Sequence, residues 1–443
     1  MNTEPNVPEI PQSTRPSNAV LVVGAGYVGL TTAVCLASLG NFVVCVDNDK
    51  SKISSILSGV LPIYEPGLLD LLNTTVNEHK LSFSTDLIEH SKSAEYVFLC
   101  LPTPALEDGT SDLSYIFQVV DEISPYLSDD VIIVNKSTVP LNTASQIRKR
   151  QSNPSVGVVS NPEFLREGSA VNDFLQPSRI VIGSDSPIIA QRVANLYIGL
   201  QDRIYFTDPI SAECIKYMSN GFLAMKISFI NEAARFCDAV GADIIDVAGG
   251  LALDPRIGSA FLNPGPGWGG SCFPKDTSAL AATARYMGSP MLLIEESIRA
   301  NNSHQTDIAK LVVELVNRIS EDHPKIAVLG LSFKANTDDI RVSPALKILH
   351  LIAQRTHNIQ IHSYDPMAKQ DETLDFVRSQ SLELAIDGAD IVVVFTEWDE
   401  IAEASPQLFA ERMRGNTIVD TRYLYSKDQF QKFNLNVISV GKN

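Results

Sequence analysis

The 443-residue sequence lacks any apolar run of the roughly 18 to 20 residues that a membrane-spanning helix needs. Its six cysteines include no CxxC pair, a pattern that favours free thiols in a reducing compartment, the cytoplasm, over disulfides or a zinc site. Residues 1–18 have neither the basic start nor the apolar stretch of a secretory signal, and we interpret them as a disordered tail. A formal net charge of -17 disfavours nucleic acid and anionic membranes as partners. An anionic ligand would therefore need a local basic pocket.

Long Val/Ile/Leu runs alternate with stretches of helix length. AVLVVGAGYVGLTTAVCLASLG followed by FVVCVD is typical of strand, helix and strand, and YVFLCLPTP and VIIVNKSTVP are further strand candidates. The last third repeats the plan with KIAVLGLSF, IQIHSYDP, DIVVVFTEW and TIVDTRYLY. Such runs predict an α/β protein with two Rossmann-like, doubly wound parallel-sheet domains. We place an N-terminal domain at 19–207, a central helical region with a long joining helix at 208–301, and a C-terminal domain at 302–443.

A GxGxxG turn follows the first predicted strand. Gly24, Gly26 and Gly29 let the backbone approach a pyrophosphate at the start of the next helix, where Tyr27 and Val28 lie in the first turn. The second strand ends in Asp47, whose carboxylate accepts hydrogen bonds from a ribose diol and repels a 2'-phosphate. The pattern therefore predicts NAD rather than NADP as cofactor.

The seven histidines all lie outside the segments in the middle of the chain that contain the other candidate catalytic residues. The chemistry is therefore expected to depend on lysine, carboxylates and cysteine. Cys272 lies in GWGGSCFPKD, where glycines permit close approach to a ligand and Lys275 favours a thiolate. A helix that begins at Phe273 would place the thiol near its positive end. The alternative is an inert cysteine of the protein core.

Two pairs of polar residues have the four-residue spacing of one helix face. Lys216 and Asn220 would point an ammonium and an amide at a developing oxyanion, and Glu163 and Glu167 in NPEFLREG repeat the spacing. Taken alone, each pair also fits a solvated helix face.

Eight motifs together give a specific resemblance that runs from about Val20 to Val440. The chain resembles the UDP-glucose/GDP-mannose dehydrogenase family in GAGYVGL, PIYEPGL, NKSTVP, SNPEFLREG, the Lys216/Asn220 helix, PRIGSAFLNPGPGWGGSCFPKD, GLSFKANTDDIRVSP and VDTR, in that order. One departure is Asn142, where the family commonly has glycine.

The resemblance implies a four-electron oxidation of a sugar C6 alcohol to an acid, with two NAD molecules used in succession. Cys272 would attack the intermediate aldehyde, and the thiohemiacetal would become a thioester that water cleaves. Lys216 and Asn220 would stabilise oxyanions, Asp276 and Thr138 would hold the proton-accepting water, and Glu163 would assist hydrolysis. How Glu163, Lys216 and Asp276 divide these roles stays open.

By the same resemblance, further residues surround the two ligands. The cofactor positions beyond the glycine turn are Asp47, Lys52, Thr103, Thr138, Glu167, Lys275 and Arg341. The nucleotide-sugar positions are Glu163, Phe164, Leu165, Lys216, Asn220, Arg256, Phe261, Leu262, Asn263, Gly269, Phe333, Lys334 and Arg422. The family implies a homodimer built on the central helix, with Arg256 reaching the partner subunit, and no metal.

Three readings compete for the function. UDP-glucose is the first choice of substrate, because the region around the cysteine lacks the pattern usual in relatives that oxidise N-acetylated UDP-sugars; GDP-mannose and UDP-N-acetylhexosamines are the alternatives. A hydroxyacid dehydrogenase with one NAD and no covalent step predicts that Cys272→Ser keeps most turnover. A silent NAD-binding regulator would have no need to keep Cys272, Lys216, Asn220 and Asp276 together.

Overall fold

The computed structural model describes residues 18–356, 358–368 and 376–442. Almost all of the tail predicted at 1–18 lies outside the described residues. The chain divides into two compact units, residues 1–103 with 112–216 and residues 104–111 with 217–443. The division at residue 216 falls inside one long helix. The domain boundaries at 207 and 301 stay predictions.

The first unit contains an eight-stranded sheet in the order β3-β2-β1-β4-β5-β6-β7-β8. Neighbouring strands are parallel except β6 and β7, which pair antiparallel. The strands are β1 Ala19–Val23, β2 Phe42–Val46, β3 Leu81–Ser84, β4 Tyr96–Leu99, β5 Ile132–Asn135, β6 Gly157–Ser160, β7 Ile180–Gly183 and β8 Ile204–Thr207. The helices are α1 Tyr27–Ser38, α2 Lys50–Leu57, α3 Leu68–Asn77, α4 Leu87–Ser91, α5 Ser114–Ile123, α6 Thr143–Arg150, α7 Ala170–Leu175 and α8 Pro187–Ala194.

Side chains of β1 show why this sheet is covered on both faces. Val20 and Val22 pack into one buried cluster with helix α1, whereas Leu21 and Val23 pack into another on the opposite face. Because successive strand residues point to opposite faces, a strand buried on both sides must be apolar throughout. The fold class predicted from these apolar runs is confirmed.

The second unit contains a six-stranded parallel sheet in the order β11-β10-β9-β12-β13-β14. Its strands are β9 Lys325–Leu329, β10 Gln360–Tyr364, β11 Val377–Arg378, β12 Ile391–Val394, β13 Thr417–Asp420 and β14 Asn436–Ile438. Its smaller helices are α13 Pro344–Ala353, α14 Leu382–Ile386, α15 Asp399–Ala402, α16 Pro406–Arg412 and α17 Lys427–Gln431. Ile326 and Val328 of β9 face one core, and Ala327 and Leu329 face the other.

The predicted long helix is α9, Pro209–Val240, with 32 residues. It is followed by α10 Ile244–Ala252, α11 Phe273–Tyr286 and the 25-residue α12 Leu292–Val316. In the part of the chain that the structure describes, none of the helices combines the length and the apolar character needed to cross a membrane.

Candidate active site

The glycine turn after β1 allows the close packing that a dinucleotide site needs. Gly24 has φ +100°, and a Cβ at Gly29 would lie 1.8 Å from the Gly24 carbonyl oxygen. A Cβ at Gly26 would meet no atom within 4 Å, so this residue borders open space at the N-terminus of α1. Tyr27 and Val28 form the first turn of that helix. The turn therefore leaves its amide groups accessible to an anion such as pyrophosphate.

Asp47 directly follows β2 and lies beside this turn. Its Oδ2 accepts hydrogen bonds from the Ala25 N–H at 2.8 Å and from Lys52 Nζ at 2.8 Å, and its Oδ1 accepts from the Asp49 N–H at 3.0 Å. Burial alone would raise the pKa of Asp47, but the hydrogen bonds from Lys52 and the two amides hold it below its usual value. The carboxylate is ionised at neutral pH, as a partner for a ribose diol must be.

Asp365 occupies the corresponding position after β10 in the second unit, but its surroundings differ. Oδ2 accepts from Leu331 N–H, from both the N–H and hydroxyl of Ser332, and from Trp398 Nε1, at 2.8 to 3.2 Å. Oδ1 accepts from the N–H groups of Met367 and Ala368. Six donors saturate the roughly four lone-pair sites of a carboxylate. This acid therefore stabilises its own domain and does not offer a dinucleotide site.

The most deeply buried ion pair of the predicted catalytic set joins Lys216 and Glu163. Lys216 Nζ lies 2.7 Å from Glu163 Oε1, and the two side chains are only 4% and 5% exposed. Glu163 Oε2 accepts from the Leu165 N–H at 2.6 Å, so the acid is held by its own loop. The ring of Phe164 lies 5.5 Å from Lys216 Nζ. The structure thus brings together two residues that are 53 positions apart in the sequence.

Thr138 lies in the loop after β5, near the same pair. The hydroxyl of Thr103 donates to the Thr138 carbonyl at 2.9 Å. Thr138, Glu213 and Lys216 line a cavity of about 10 Å³, which has room for one water molecule. Glu167, also in the loop after β6, is buried. The first unit therefore assembles Thr103, Thr138, Glu163 and Lys216 at the carboxyl ends of its strands, where parallel sheets bind ligands.

In the second unit, Cys272 is the residue immediately before α11, as the sequence predicted. Its thiol is half-buried and lies 3.6 Å from the Ser271 hydroxyl. Asp276 is buried in the first turn of α11, where its Oδ2 accepts from Asn220 Nδ2 at 2.6 Å and its Oδ1 from Lys275 Nζ at 2.7 Å. Asn220, Lys275 and Asp276 therefore form one hydrogen-bonded group at the helix end that carries the thiol.

The other cysteines show what an inert thiol looks like in this protein. Cys35, Cys45 and Cys100 are buried, and burial raises the pKa of each well above that of an ordinary thiol, to about 12 for Cys35 and Cys100. Cys272 differs because it is partly accessible and lies at the positive end of a helix.

The glycine-rich loop, residues 261–270, packs closely on the second unit. A Cβ at Gly269 would lie 2.1 Å from the Val342 carbonyl oxygen, and one at Gly270 would lie 2.9 Å from the Phe333 ring. Within the loop Leu262 is buried, whereas Asn263 is exposed. Phe261 has φ +62°, a left-handed conformation that is unusual for an aromatic residue.

Arg422 is the basic residue beside this loop. Its Nε donates to the Phe395 carbonyl at 2.7 Å and lies 2.9 Å from Glu397, and its Nη2 donates to the Phe333 carbonyl at 3.2 Å. A Cβ at Gly265 would lie 3.2 Å from Arg422 Nη1. Lys334 Nζ lies 5.7 Å from the Phe333 ring. Arg422, which is paired with Glu397, and Lys334 are the basic residues beside this loop, and their contact with an anionic ligand stays a prediction.

Two predicted arginines lie at the surface. Arg256 is 87% exposed and pairs with Asp254, and Arg341 is 64% exposed and pairs with Asp339. Neither is buried with the other predicted residues of the second unit.

Sequence reasoning missed several buried polar residues that hold the site. Lys136 Nζ, fully enclosed, donates to Asn161 and Tyr197 and links the loop of Thr138 to that of Glu163. Burial lowers the pKa of Lys136 to about 8. The carboxylate of Glu65, from the PIYEPGL motif, accepts from two backbone amides at the start of α7. The motifs contained these residues, but only the fold shows what they contact.

The glycine-rich loop also depends on polar residues of two helices. Asn231 of α9 accepts from the Gly265 N–H at 2.8 Å, and Asn301 of α12 both accepts from and donates to the Trp268 backbone. Among the histidines, which the sequence analysis set aside, His304 of α12 bonds the Gly265 carbonyl at 2.7 Å. His304 lies outside the glycine-rich loop in the sequence, as predicted, but the fold brings it to a loop residue 39 positions earlier.

The dinucleotide cradle of the first unit is typical of a nicotinamide-dependent dehydrogenase, and the accessible thiol at the start of α11 in the second unit stays the candidate nucleophile. Models of one family match three consecutive parts of the chain: its NAD binding domain at residues 18–201, its central domain at 210–303 and its UDP binding domain at 327–427. The chain belongs to the UDP-glucose/GDP-mannose dehydrogenase family, and its cofactor is NAD.

Individual relatives agree with this assignment. A UDP-glucose 6-dehydrogenase of Rhizobium meliloti is 41% identical over 96% of this chain and 99% of its own. The structure of a UDP-glucose dehydrogenase from Pyrobaculum islandicum matches with a TM-score of 0.88 and 30% identity, covering 98% of this chain and 100% of that one. The structure of a UDP-D-ManNAc dehydrogenase from Pyrococcus horikoshii matches with a TM-score of 0.84 and 27% identity, covering 96% and 99%.

Proposed function

We propose that this chain oxidises UDP-glucose to UDP-glucuronate, a four-electron reaction that uses two NAD molecules per turnover. The observation that carries the covalent part is Cys272 at the N-terminus of α11, half-buried and next to the Asn220–Asp276 pair. An alcohol-to-aldehyde oxidation alone needs no nucleophile, whereas an aldehyde-to-acid oxidation through a thioester does. UDP-glucose is favoured by the 41% identity to the Rhizobium meliloti enzyme.

The residues of the first unit fit the cofactor. Gly26 borders the open space at the start of α1, and Asp47 is an ionised carboxylate beside it, as pyrophosphate and a ribose diol require. NAD supplies the hydride acceptor for both oxidations. Thr103, Thr138 and Glu167 lie in loops at the carboxyl ends of the same sheet and complete the proposed contacts.

Cys272 carries the covalent chemistry in this proposal. In the first oxidation the C6 hydroxyl loses its proton to a water, for which the family resemblance names Thr138 and Asp276 as candidate partners. The Cys272 thiolate then forms a bond to the aldehyde carbon, and the oxyanion that results is stabilised by Lys216 and Asn220. The second oxidation leaves a thioester. Attack by water, with Glu163 as the proton acceptor, breaks the carbon–sulfur bond and returns the thiolate.

The test of the reaction is to count NADH released per sugar with UDP-glucose, GDP-mannose and UDP-N-acetylhexosamines. Two NADH per UDP-glucose support the proposal, and one NADH per substrate points to the hydroxyacid dehydrogenase mechanism. Cys272→Ser should stop at the aldehyde stage, because a serine hydroxyl is a far weaker nucleophile than a thiolate at neutral pH. Cys214→Ser is the matched control, since Cys214 is also half-buried. Turnover of another sugar with none of UDP-glucose would contradict the substrate assignment alone.

We also propose that the chain forms a homodimer through α9. Met218, Phe222, Phe229, Phe236 and Val240 are spaced four, seven, seven and four residues apart and are 39% to 67% exposed. This spacing places them along one helix face, and a continuous apolar stripe of that length is typical of a subunit interface. The exposed Arg256 would then be available to a partner's site. A cytoplasmic location suits the accessible thiol of Cys272.

The oligomeric state tests this second proposal. Phe229→Glu should convert a dimer to a monomer in analytical ultracentrifugation, because it places a charge in the centre of the stripe. Leu384→Glu is the matched control, since Leu384 is 56% exposed but lies on α14, away from α9 in the sequence. An unchanged mass for Phe229→Glu would contradict the proposed interface.

A further inference from the structure

The backbone of Gly265 is held on both sides by buried side chains. Its N–H donates to Asn231 Oδ1 at 2.8 Å, and its carbonyl oxygen lies 2.7 Å from His304 Nε2. His304 is 3% exposed and belongs to α12, whereas Asn231 belongs to α9. The N–H and the carbonyl belong to the two successive peptide groups on either side of the Gly265 Cα, and each of these groups is held by one helix.

The partners of His304 determine its tautomer. A carbonyl oxygen only accepts hydrogen bonds, so Nε2 must carry the proton that goes to Gly265. On the other side of the ring, Nδ1 lies 3.0 Å from Arg235 Nη1, and a guanidinium only donates. Nδ1 is therefore the unprotonated acceptor, and the imidazole is neutral. The ring connects a guanidinium of α9 to the glycine-rich loop by one donated and one accepted hydrogen bond.

The pKa of His304 agrees with this neutral form. Burial lowers the pKa to about 4; the bond to the Gly265 carbonyl opposes this shift, the positive charge of Arg235 adds to it, and Asp307 opposes it. At neutral pH the residue therefore adds no charge beside Arg235.

Gly265 also lies against the basic residue of the proposed nucleotide-sugar site. A Cβ at Gly265 would be 3.2 Å from Arg422 Nη1 and 3.8 Å from the Thr421 carbonyl oxygen. A change in the backbone torsions at Gly265 would therefore alter both the loop backbone and the space beside the Arg422 guanidinium.

We infer that His304 is a positioning residue for nucleotide-sugar binding, which it serves by fixing the Gly265 carbonyl through the Arg235–His304–Gly265 chain of hydrogen bonds. This inference rests on the proposed function, because it takes the glycine-rich loop as part of the substrate site. It assigns no contact between His304 and the substrate.

The test compares His304→Leu with His304→Gln in the full-length enzyme. Leucine removes both hydrogen bonds and leaves the Gly265 carbonyl and an Arg235 donor without their partner; glutamine has one donor and one acceptor and can restore the chain. For His304→Leu we expect the KM for UDP-glucose to rise about tenfold, as for one lost hydrogen bond with a buried group left unpaired. We expect kcat and the KM for NAD to change less than about threefold, since neither depends on this peptide group.

Two further measurements separate positioning from a general loss of structure. Calorimetric titration with UDP alone should show the same roughly tenfold loss for His304→Leu and near-native affinity for His304→Gln. His350→Leu is the matched control: His350 is a half-buried histidine of α13 whose Nδ1 lies 2.8 Å from a carbonyl of its own helix. Arg235→Met keeps the imidazole and should give a smaller rise in KM.

The possible outcomes are distinct. Native KM in His304→Leu, equal loss in His304→Gln, or parallel loss of kcat and both KM values would overturn the positioning role. If His304→Leu does not fold, the KM for UDP-glucose of the other two variants decides the question. A near-native KM in His304→Gln and a raised KM in Arg235→Met would support the positioning role, and any other result would overturn it. Absence of UDP-glucose oxidation by the unmodified enzyme would instead contradict the proposed function.

Discussion

Two glycines of the same turn should respond differently to alanine. A Cβ at Gly29 would lie 1.8 Å from the Gly24 carbonyl oxygen, whereas an ordinary contact is about 3.5 Å. Helix α1 would have to move by roughly 1.5 Å, and overpacking of this kind costs about 1 to 3 kcal/mol. For a domain of 150 to 250 residues that corresponds to a melting temperature lower by about 2 to 12 °C. Gly29→Ala should therefore lose both stability and NAD affinity.

Gly26→Ala should separate the two effects. A Cβ there meets no protein atom within 4 Å, and φ -79° with ψ -169° is accessible to alanine. The fold should stay nearly as stable as before, but the methyl group would occupy space that a pyrophosphate needs, so NAD affinity should fall at least about tenfold. Calorimetric scans at one fixed rate and NAD titration by fluorescence measure the two quantities. Native NAD affinity in Gly29→Ala, or equal melting losses in both variants, would refute the reasoning.

Three further predictions concern charged groups. Lys216→Met leaves the Glu163 carboxylate buried without its partner, so unfolding should become easier by about 3 to 5 kcal/mol, and adding Glu163→Gln should recover most of that loss in thermal melts. Because the pKa of Asp47 is below its usual value, NAD affinity titrated against pH should stay level down to about pH 4 and weaken only below it. His304 has a pKa of about 4 in the fold and 6.5 as the ordinary value. As pH falls, the unfolded chain therefore takes up this proton before the folded chain does. The free energy of unfolding should decrease by up to about 1.4 kcal/mol per pH unit between pH 6.5 and pH 4. Thermal melts of His304→Gln at several pH values should lack this decrease.

Local patterns predicted the parts of the site that are local in the chain. The sequence identified the residues of the dinucleotide site, Gly24, Gly26, Gly29 and Asp47, because the glycine turn and the end of the next strand are close in sequence. The chemistry of dinucleotide binding also requires glycines in the turn and an acid at that strand end. The strands found in advance are β1, β2, β4, β5, β9, β10, β12 and β13, most of which are apolar runs that end in polar residues or turn signals. β8 was missed because its residues are half-buried or exposed, and β3 because serines alternate with the buried Leu81 and Phe83 in LSFS. The short strands β6, β7, β11 and β14 were also not identified.

Contacts between distant segments were beyond the sequence pattern. Lys216 and Glu163 were both predicted, but their ion pair depends on how α9 packs against the loop after β6. Asn231 and His304 lie on helices. In the sequence of a helix, a polar residue among apolar neighbours fits a solvent-exposed position as well as a buried one that contacts a loop. Only the packed structure shows that these side chains face a backbone loop. The resemblance to the family supplied the roles of the predicted residues, and spacing alone did not.

The six hydrogen bonds around Asp365 limit what redesign of the C-terminal unit can achieve. An engineer who inserted the three-glycine turn after β9 would copy the visible signature of a coenzyme site, yet the acid after β10 would still be occupied by its own backbone, Ser332 and Trp398. Releasing it would remove a central support of the domain. Coenzyme binding and structural support thus exclude each other at that carboxylate, and grafting a glycine motif alone should yield a stable domain that binds no dinucleotide.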